Sequence, residues 1–264
     1  MLKNSAIYYP VQIPYILDRK FSENMKYMES VIEECSGFVI CFWEMLPLSE
    51  KDLSITNVIV TDACIDIVVS FDEKQIGVTG MSKTEFDFTL ESSKRSFGMR
   101  MKPGAFHQFT GIAATVAMDN FLHIESVFED FDRTYFFTLS YEEAKEYLKR
   151  FLINKTKEEM PNQFTTLFDT LSKKIPSTVT ELCTLLHFSQ RQCQRLFRRH
   201  YGITPKMALS IMRFHKCMER LTSPNVSPSD IINITEYYDQ SHFIKDFKRN
   251  IGITPLELVR AYQT

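Results

Sequence analysis

No C-x-x-C pair occurs among the six cysteines, and no apolar run approaches the ~18 to 20 residues that a membrane span requires. Glycine-rich phosphate loops, G-x-S-x-G elbows and H-E-x-x-H helices are also missing. These absences remove the usual signatures of zinc modules, nucleotide-binding folds, serine hydrolases and zinc proteases. Cys183 and Cys193 fall on apolar helix positions, so reduced core thiols are expected for Cys35, Cys41, Cys64, Cys183, Cys193 and Cys217, with a thiol sensor at Cys35 or Cys41 as the alternative. Nothing near the N-terminus resembles a signal peptide, which predicts a cytoplasmic protein without membrane contact. No cofactor is expected.

What the chain does contain is one 17-residue pattern twice, 50 residues apart: SQRQCQRLFRRHYGITP from Ser189 to Pro205 and DQSHFIKDFKRNIGITP from Asp239 to Pro255. Seven positions are identical, including Phe197/Phe247, Arg199/Arg249 and the Gly-Ile-Thr-Pro ends. Ser189 and Asp239 can each cap a helix, and Gln192 completes a capping box in the first copy. Gly202 and Gly252 suit a left-handed C-terminal cap, after which Thr204-Pro205 and Thr254-Pro255 can start a new helix. The unit reads helix, stop, helix. The net charge of −2 hides an asymmetry, since residues 1–160 hold 17 Lys+Arg against 25 Asp+Glu, whereas residues 161–264 hold 14 against 8. A cationic C-terminal region suits a polyanion, because phosphate contacts supply most sequence-independent affinity.

Between Phe38 and Met101 the apolar residues come in short β-like runs: Phe38–Trp43, Cys64–Phe71, Ile76–Thr79, Phe86–Leu90 and Phe97–Met101. Turn residues separate them, which predicts an antiparallel sandwich or small barrel. Ser140 and Glu143 start a helix to about Asn154, whose stripe of Ala144, Leu148, Phe151 and Leu152 serves either packing or dimerisation. The polar stretch 155–162 is the expected linker. The fold class is therefore α+β with two domains, a β-rich unit over 1–154 with flanking helices and an all-α unit over 163–264. In the latter, short helices are expected around Phe164–Lys173 and from Thr178 through Leu186, the second turning at His187-Phe188 into the Ser189 helix. The same arrangement recurs with Ser227 as cap, Pro228 in the first turn and a helix to about Thr235. Pro205 to Leu221 then forms a connecting helix of roughly 25 Å, which lets two recognition helices enter successive major-groove segments about 34 Å apart.

On the first repeat helix Cys193, Leu196, Phe197 and Tyr201 share an apolar side, while Gln190, Arg191, Gln194, Arg195 and Arg198 lie opposite. Arg can bond both guanine acceptors and Gln can pair with adenine. The equivalent face of the second helix holds Gln240, Ser241, Ile244, Lys245 and Lys248, with fewer bidentate donors. Lys245, Lys248 and Arg249 suit phosphates, and Ile244 suits a thymine methyl or the core. An ordinary solvated helix face is the rival reading.

These residues resemble AraC/XylS-type transcription regulators over roughly Thr178 to Tyr262. The resemblance is carried above all by Tyr237-Tyr238-Asp239-Gln240-Ser241-His242-Phe243, Phe247-Lys248-Arg249 and Gly252-Ile253-Thr254-Pro255. It implies a double helix-turn-helix domain of seven helices that binds double-stranded promoter DNA as two half-elements and acts on RNA polymerase. It assigns base reading chiefly to Arg191, Gln194 and Arg195, with Gln240, Ser241 and Lys245 in the second unit. Three departures stand out: His187 and Glu236 occupy turn positions where the family commonly has glycine, and Ile232 occupies a small-residue position. The N-terminal half resembles sensor domains of some bacterial members through Tyr8-Tyr9-Pro10, Phe42-Trp43 and Phe97 to Phe106. That likeness implies a cupin-like β domain that holds a small-molecule effector or mediates homodimerisation. The alternative function is a metal-dependent cupin-type enzyme fused to a DNA-binding domain, with His107, His123 and Glu125 as its best ligands.

Overall fold

The computed structural model describes residues 7–12, 19–58, 60–81, 87–221 and 240–263. Its strands are β1 (Met25–Ser30), β2 (Val39–Pro47), β3 (Ser54–Val58), β4 (Ile65–Ser70), β5 (Gln75–Gly80), β6 (Asp87–Glu91), β7 (Ser96–Met101) and β8 (Phe121–His123). The helices are α1 (Arg19–Asn24), α2 (Ala105–Thr110), α3 (Arg133–Phe136), α4 (Tyr141–Thr156), α5 (Leu167–Lys173), α6 (Val179–Leu185), α7 (Gln190–Tyr201), α8 (Pro205–Leu221), α9 (Gln240–Ile251) and α10 (Pro255–Gln263).

Six strands form one antiparallel sheet in the order β1-β2-β7-β4-β5-β8, and β3 and β6 form a separate ribbon. Among the described residues no hydrogen-bonded ring closes, and the ribbon shares a cavity with the sheet. Strand alternation decides which side chain goes where. Ile65, Ile67 and Val69 of β4 and Phe97, Met99 and Met101 of β7 are buried on the core side, where Phe97 meets Phe136 and Tyr141. Asp66, Val68 and Arg100 face the other way, with Trp43 and Met45 of β2 and Tyr27 of β1, into a cavity shared with Ser54, Thr89 and Leu90 of the ribbon.

Ser140 and Glu143 make the expected capping box on α4, and Ala144, Leu148 and Leu152 are fully buried. The stripe therefore packs within its own half of the molecule, as Phe151 does against Phe128 and Phe131. The helix runs to Thr156, two residues past expectation. By contrast α5 starts late, because Asn162 Oδ1 accepts the amides of Phe164 and Thr165 and holds that turn out of helical geometry. All six cysteines are free and buried. Burial pushes the Cys35 thiol up to about 11 and Cys41 up to about 12, which keeps both protonated and argues against a thiolate sensor. No helix among the described residues is long and apolar enough to cross a membrane.

Gly202 and Gly252 adopt the left-handed conformation that their position after a helix predicts, at φ 72° and 83°. Their surroundings differ. A Cβ on Gly202 would lie 2.6 Å from Met118 Cγ and 3.0 Å from the Ala114 carbonyl oxygen, both in the β-rich half, whereas one on Gly252 would meet nothing within 4 Å. Gly252→Ala should therefore cost about 1 kcal/mol, the conformational penalty alone. Gly202→Ala should cost at least ~1 kcal/mol more through overpacking. Urea unfolding of the two variants compares them, and equal losses would mean that the contact at Gly202 yields freely.

Candidate nucleic-acid interface

The α7 helix is fixed at both ends by its own sequence. Ser189 Oγ accepts the Gln192 amide while Gln192 Oε1 accepts the Ser189 amide, and Gly202 closes the other end with its amide donating to the Arg198 carbonyl. Cys193, Phe197 and Tyr201 are buried, which turns Gln190, Arg191, Gln194, Arg195 and Arg198 outward; all five are exposed. Gln190 also leans back onto α6, its Nε2 donating to Thr180 Oγ1 at 3.4 Å. The turn from α6 into α7 passes through His187 at φ 55°, so the residue standing in place of the family's glycine does adopt a left-handed backbone.

On α9, Phe243, Phe247 and Ile251 pack with Phe214, Met218 and Leu221 of α8, and Gln240, Ser241, Lys245, Lys248 and Arg249 are exposed. Ile244 is on the outer side, 37% exposed. Arg249 is engaged locally, with Nη1 3.0 Å from Asp246 Oδ1, whose carboxylate is buried. The helix expected from Ser227 to Thr235, the turn at Glu236 and the residues Ile232, Tyr237, Tyr238 and Asp239 lie outside the described residues.

Sequence patterns gave no sign of how firmly this domain is joined to the sheet. Arg199 Nε donates to His107 Nε2 at 3.0 Å, so His107 carries its proton on Nδ1 and donates to the Ile112 carbonyl. The His200 ring stacks on Phe164 at 3.7 Å, and the Tyr201 hydroxyl donates to the Phe164 carbonyl. Lower on the molecule, the loop between β3 and β4 meets α8 and α9. Thr61 Oγ1 donates to Asn250 Oδ1 at 2.7 Å, and His215 Nε2 donates to the Thr61 carbonyl at 2.8 Å while its Nδ1 accepts the Val11 amide. Lys102 of the sheet domain pairs with Asp169 of α5 at 3.0 Å. The residues weighed as metal ligands are thus dispersed. His107 holds Arg199, Glu125 faces Arg133 at 3.8 Å and His123 packs edge-on against Phe121. Among the described residues no group of three or more His, Cys, Asp or Glu could hold a metal ion.

A family model described as "Helix-turn-helix domain" matches residues 182–261, and one described as "Domain of unknown function (DUF6597)" matches residues 33–123. The C-terminal region is therefore a helix-turn-helix domain, the class that its caps and outward basic faces define. Similar proteins narrow the class. The raffinose operon transcriptional regulatory protein RafR of Pediococcus pentosaceus is 33% identical over 78 residues, 30% of this chain and 28% of that protein. The uncharacterized HTH-type transcriptional regulator YtdP of Bacillus subtilis (strain 168) is 28% identical over 78 residues, 30% of this chain and 10% of that one. The matched part thus spans under a third of either relative. Among solved structures, ToxT from Vibrio cholerae aligns over 90% of this chain and 98% of its own at 10% identity and a TM-score of 0.40, too distant to transfer detail. The helix-turn-helix region is thus similar to those of transcriptional regulators, and residues 33–123 match a domain family of no assigned function.

Two histidines at the domain junction give it a pH dependence. Burial, with the nearby His107 and Arg199, pushes His200 down to about 4, and burial, opposed by the Thr61 carbonyl, does the same to His215. Both are neutral when folded. Their stabilisation is fully present above about pH 6.5 and is lost as pH falls toward 4, because the unfolded chain takes up the protons. At pH 5 each histidine should remove on the order of 1 to 2 kcal/mol. His200→Phe keeps a stacking ring without a titrating nitrogen, so its unfolding free energy should fall less between pH 7 and 5; an undiminished fall would exclude His200 as a source.

Proposed function

We propose that this protein is a cytoplasmic, sequence-specific DNA-binding transcription regulator that reads double-stranded promoter DNA with two helix-turn-helix units. The observation that carries this reading is the repeated helix whose apolar side is buried in both copies while its Arg, Gln and Lys side faces outward. Arg191, Gln194 and Arg195 read bases in the first unit, supported by Gln190 and Arg198. Gln240, Ser241 and Lys245 read in the second unit, where Lys248 and Arg249 hold phosphates; the Arg249 pairing with Asp246 weakens its claim on a phosphate. Residues 163–264 are the DNA-binding unit, residues 1–154 modulate it through a small-molecule effector or a homodimer contact, and RNA polymerase is the partner on which it acts. The N-terminal half has no catalytic part in this reading, since His107 already supports Arg199. Stoichiometric bound iron, manganese or zinc in the purified protein would revive the enzyme alternative.

Selection from a random duplex pool should enrich a two-part motif with halves about one helical turn apart. On that operator, Arg191→Ala or Arg195→Ala should cost roughly 1 to 3 kcal/mol of discrimination against random DNA, and Lys248→Ala should weaken both DNAs alike and lower the salt dependence. Equal losses on both DNAs for the Arg variants would contradict the base-reading assignment.

A further inference from the structure

The cavity between the six-stranded sheet and the β3–β6 ribbon encloses about 880 Å³, a volume suited to a small organic ligand. Arg100, 6% exposed, is one of the residues that line it. The guanidinium faces Glu29 at 3.2 Å, Asp62 at 3.4 Å and Asp66 at 3.5 Å, so one cation stands among three carboxylates. Each guanidinium nitrogen faces one of them, Nη1 toward Glu29, Nε toward Asp62 and Nη2 toward Asp66, so none is left over for a further anion. Burial lifts Asp66 to about 7 against the pull of Arg100, with the Asp62 charge adding to the rise. Burial raises Asp62 as well, so this poorly solvated cluster already resists negative charge, and an anionic ligand would bring a further acceptor to a single guanidinium at rising electrostatic cost. A cation would relieve the excess.

The walls agree with that sign. Trp43 donates to Asp66 Oδ2 at 2.9 Å and lines the cavity together with Tyr27, which places two aromatic residues beside the carboxylates. Met25 and Met45 add apolar surface. We propose that this cavity binds an amphipathic organic cation, its ammonium or guanidinium head beside Asp62 and Asp66 and its apolar body along the methionine wall. The regulatory consequence rests on the reading above. Asp62 adjoins Thr61, whose hydroxyl and carbonyl are held by Asn250 of α9 and His215 of α8, so a ligand that engages Asp62 acts one residue from the second recognition helix.

Trp43 is the single tryptophan of the chain and reports on the site directly. Its emission in the full-length protein is titrated with hexylammonium, hexanol and hexanoate, which share a chain and differ in head group. Hexylammonium should give a saturable change at a concentration at least tenfold below hexanoate, with hexanol between them. Asp66→Asn should shift the hexylammonium midpoint upward by at least tenfold while leaving hexanol unchanged. No saturable response to hexylammonium, or a response to hexanoate at equal or lower concentration, overturns the proposal without recourse to any variant. Operator binding is measured on the same samples. A cation response without operator binding sinks the regulator reading alone, and operator binding without a cation response sinks the ligand class alone.

Discussion

Between β3 and β4 the chain leaves its ladder for Val60 to Cys64, and there Thr61 places all its polar groups on the helical domain. Its hydroxyl and amide go to Asn250 of α9 and its carbonyl to His215 of α8, all three residues being almost fully buried. Buried polar groups of this kind cost ~1 to 3 kcal/mol each when left unpaired, so the three residues hold one another in place. Val60 extends the joint into the apolar cluster of Phe214, Met218, Phe243 and Phe247, and Asp62 extends it the other way to Arg100. One short loop thus belongs at once to the sheet, to the cavity and to the second recognition helix.

The first recognition helix is anchored separately. Arg199, His200 and Tyr201 at the end of α7 bind His107 and Phe164, while Gly202 lets Met118 and Ala114 approach the backbone. Between these two anchors α8 runs as a rigid connector, with Phe214, Cys217 and Met218 buried against the α9 side. The outward faces of α7 and α9 are positioned relative to the sheet by contacts that leave Arg191, Gln194, Arg195, Gln240, Ser241 and Lys245 exposed. A movement within the sheet domain can therefore shift the two helices while their outward faces keep the same residues.

Local chemistry made much of this legible. Caps at Ser140 and Ser189, left-handed glycines at 202 and 252, and alternation along β4 and β7 are all written within a few residues of where they act. The turn at His187 keeps a positive φ although a histidine stands where the family commonly has glycine. The strands that escaped notice are short or polar: β1 reads MKYMES, β3 reads SITNV and β8 spans three residues. The domain joint was illegible for a different reason. Thr61 and Asn250 are 189 positions apart, Arg199 and His107 are 92 apart, and single Thr, Asn or His residues carry no periodic signal. Arg199 is instructive, because it is identical in the two copies of the repeat and yet in the first copy it binds His107 of the other domain.

The central claim is that the Val60–Cys64 loop couples the sheet domain energetically to α9. A double-mutant cycle on unfolding free energy with Thr61→Val, Asn250→Ala and both together tests it most directly. The account predicts an interaction energy of about 1 kcal/mol or more, because each single change strands a buried partner that the double change removes. Additivity within about 0.5 kcal/mol would show that the two residues act independently and that the domains are joined elsewhere.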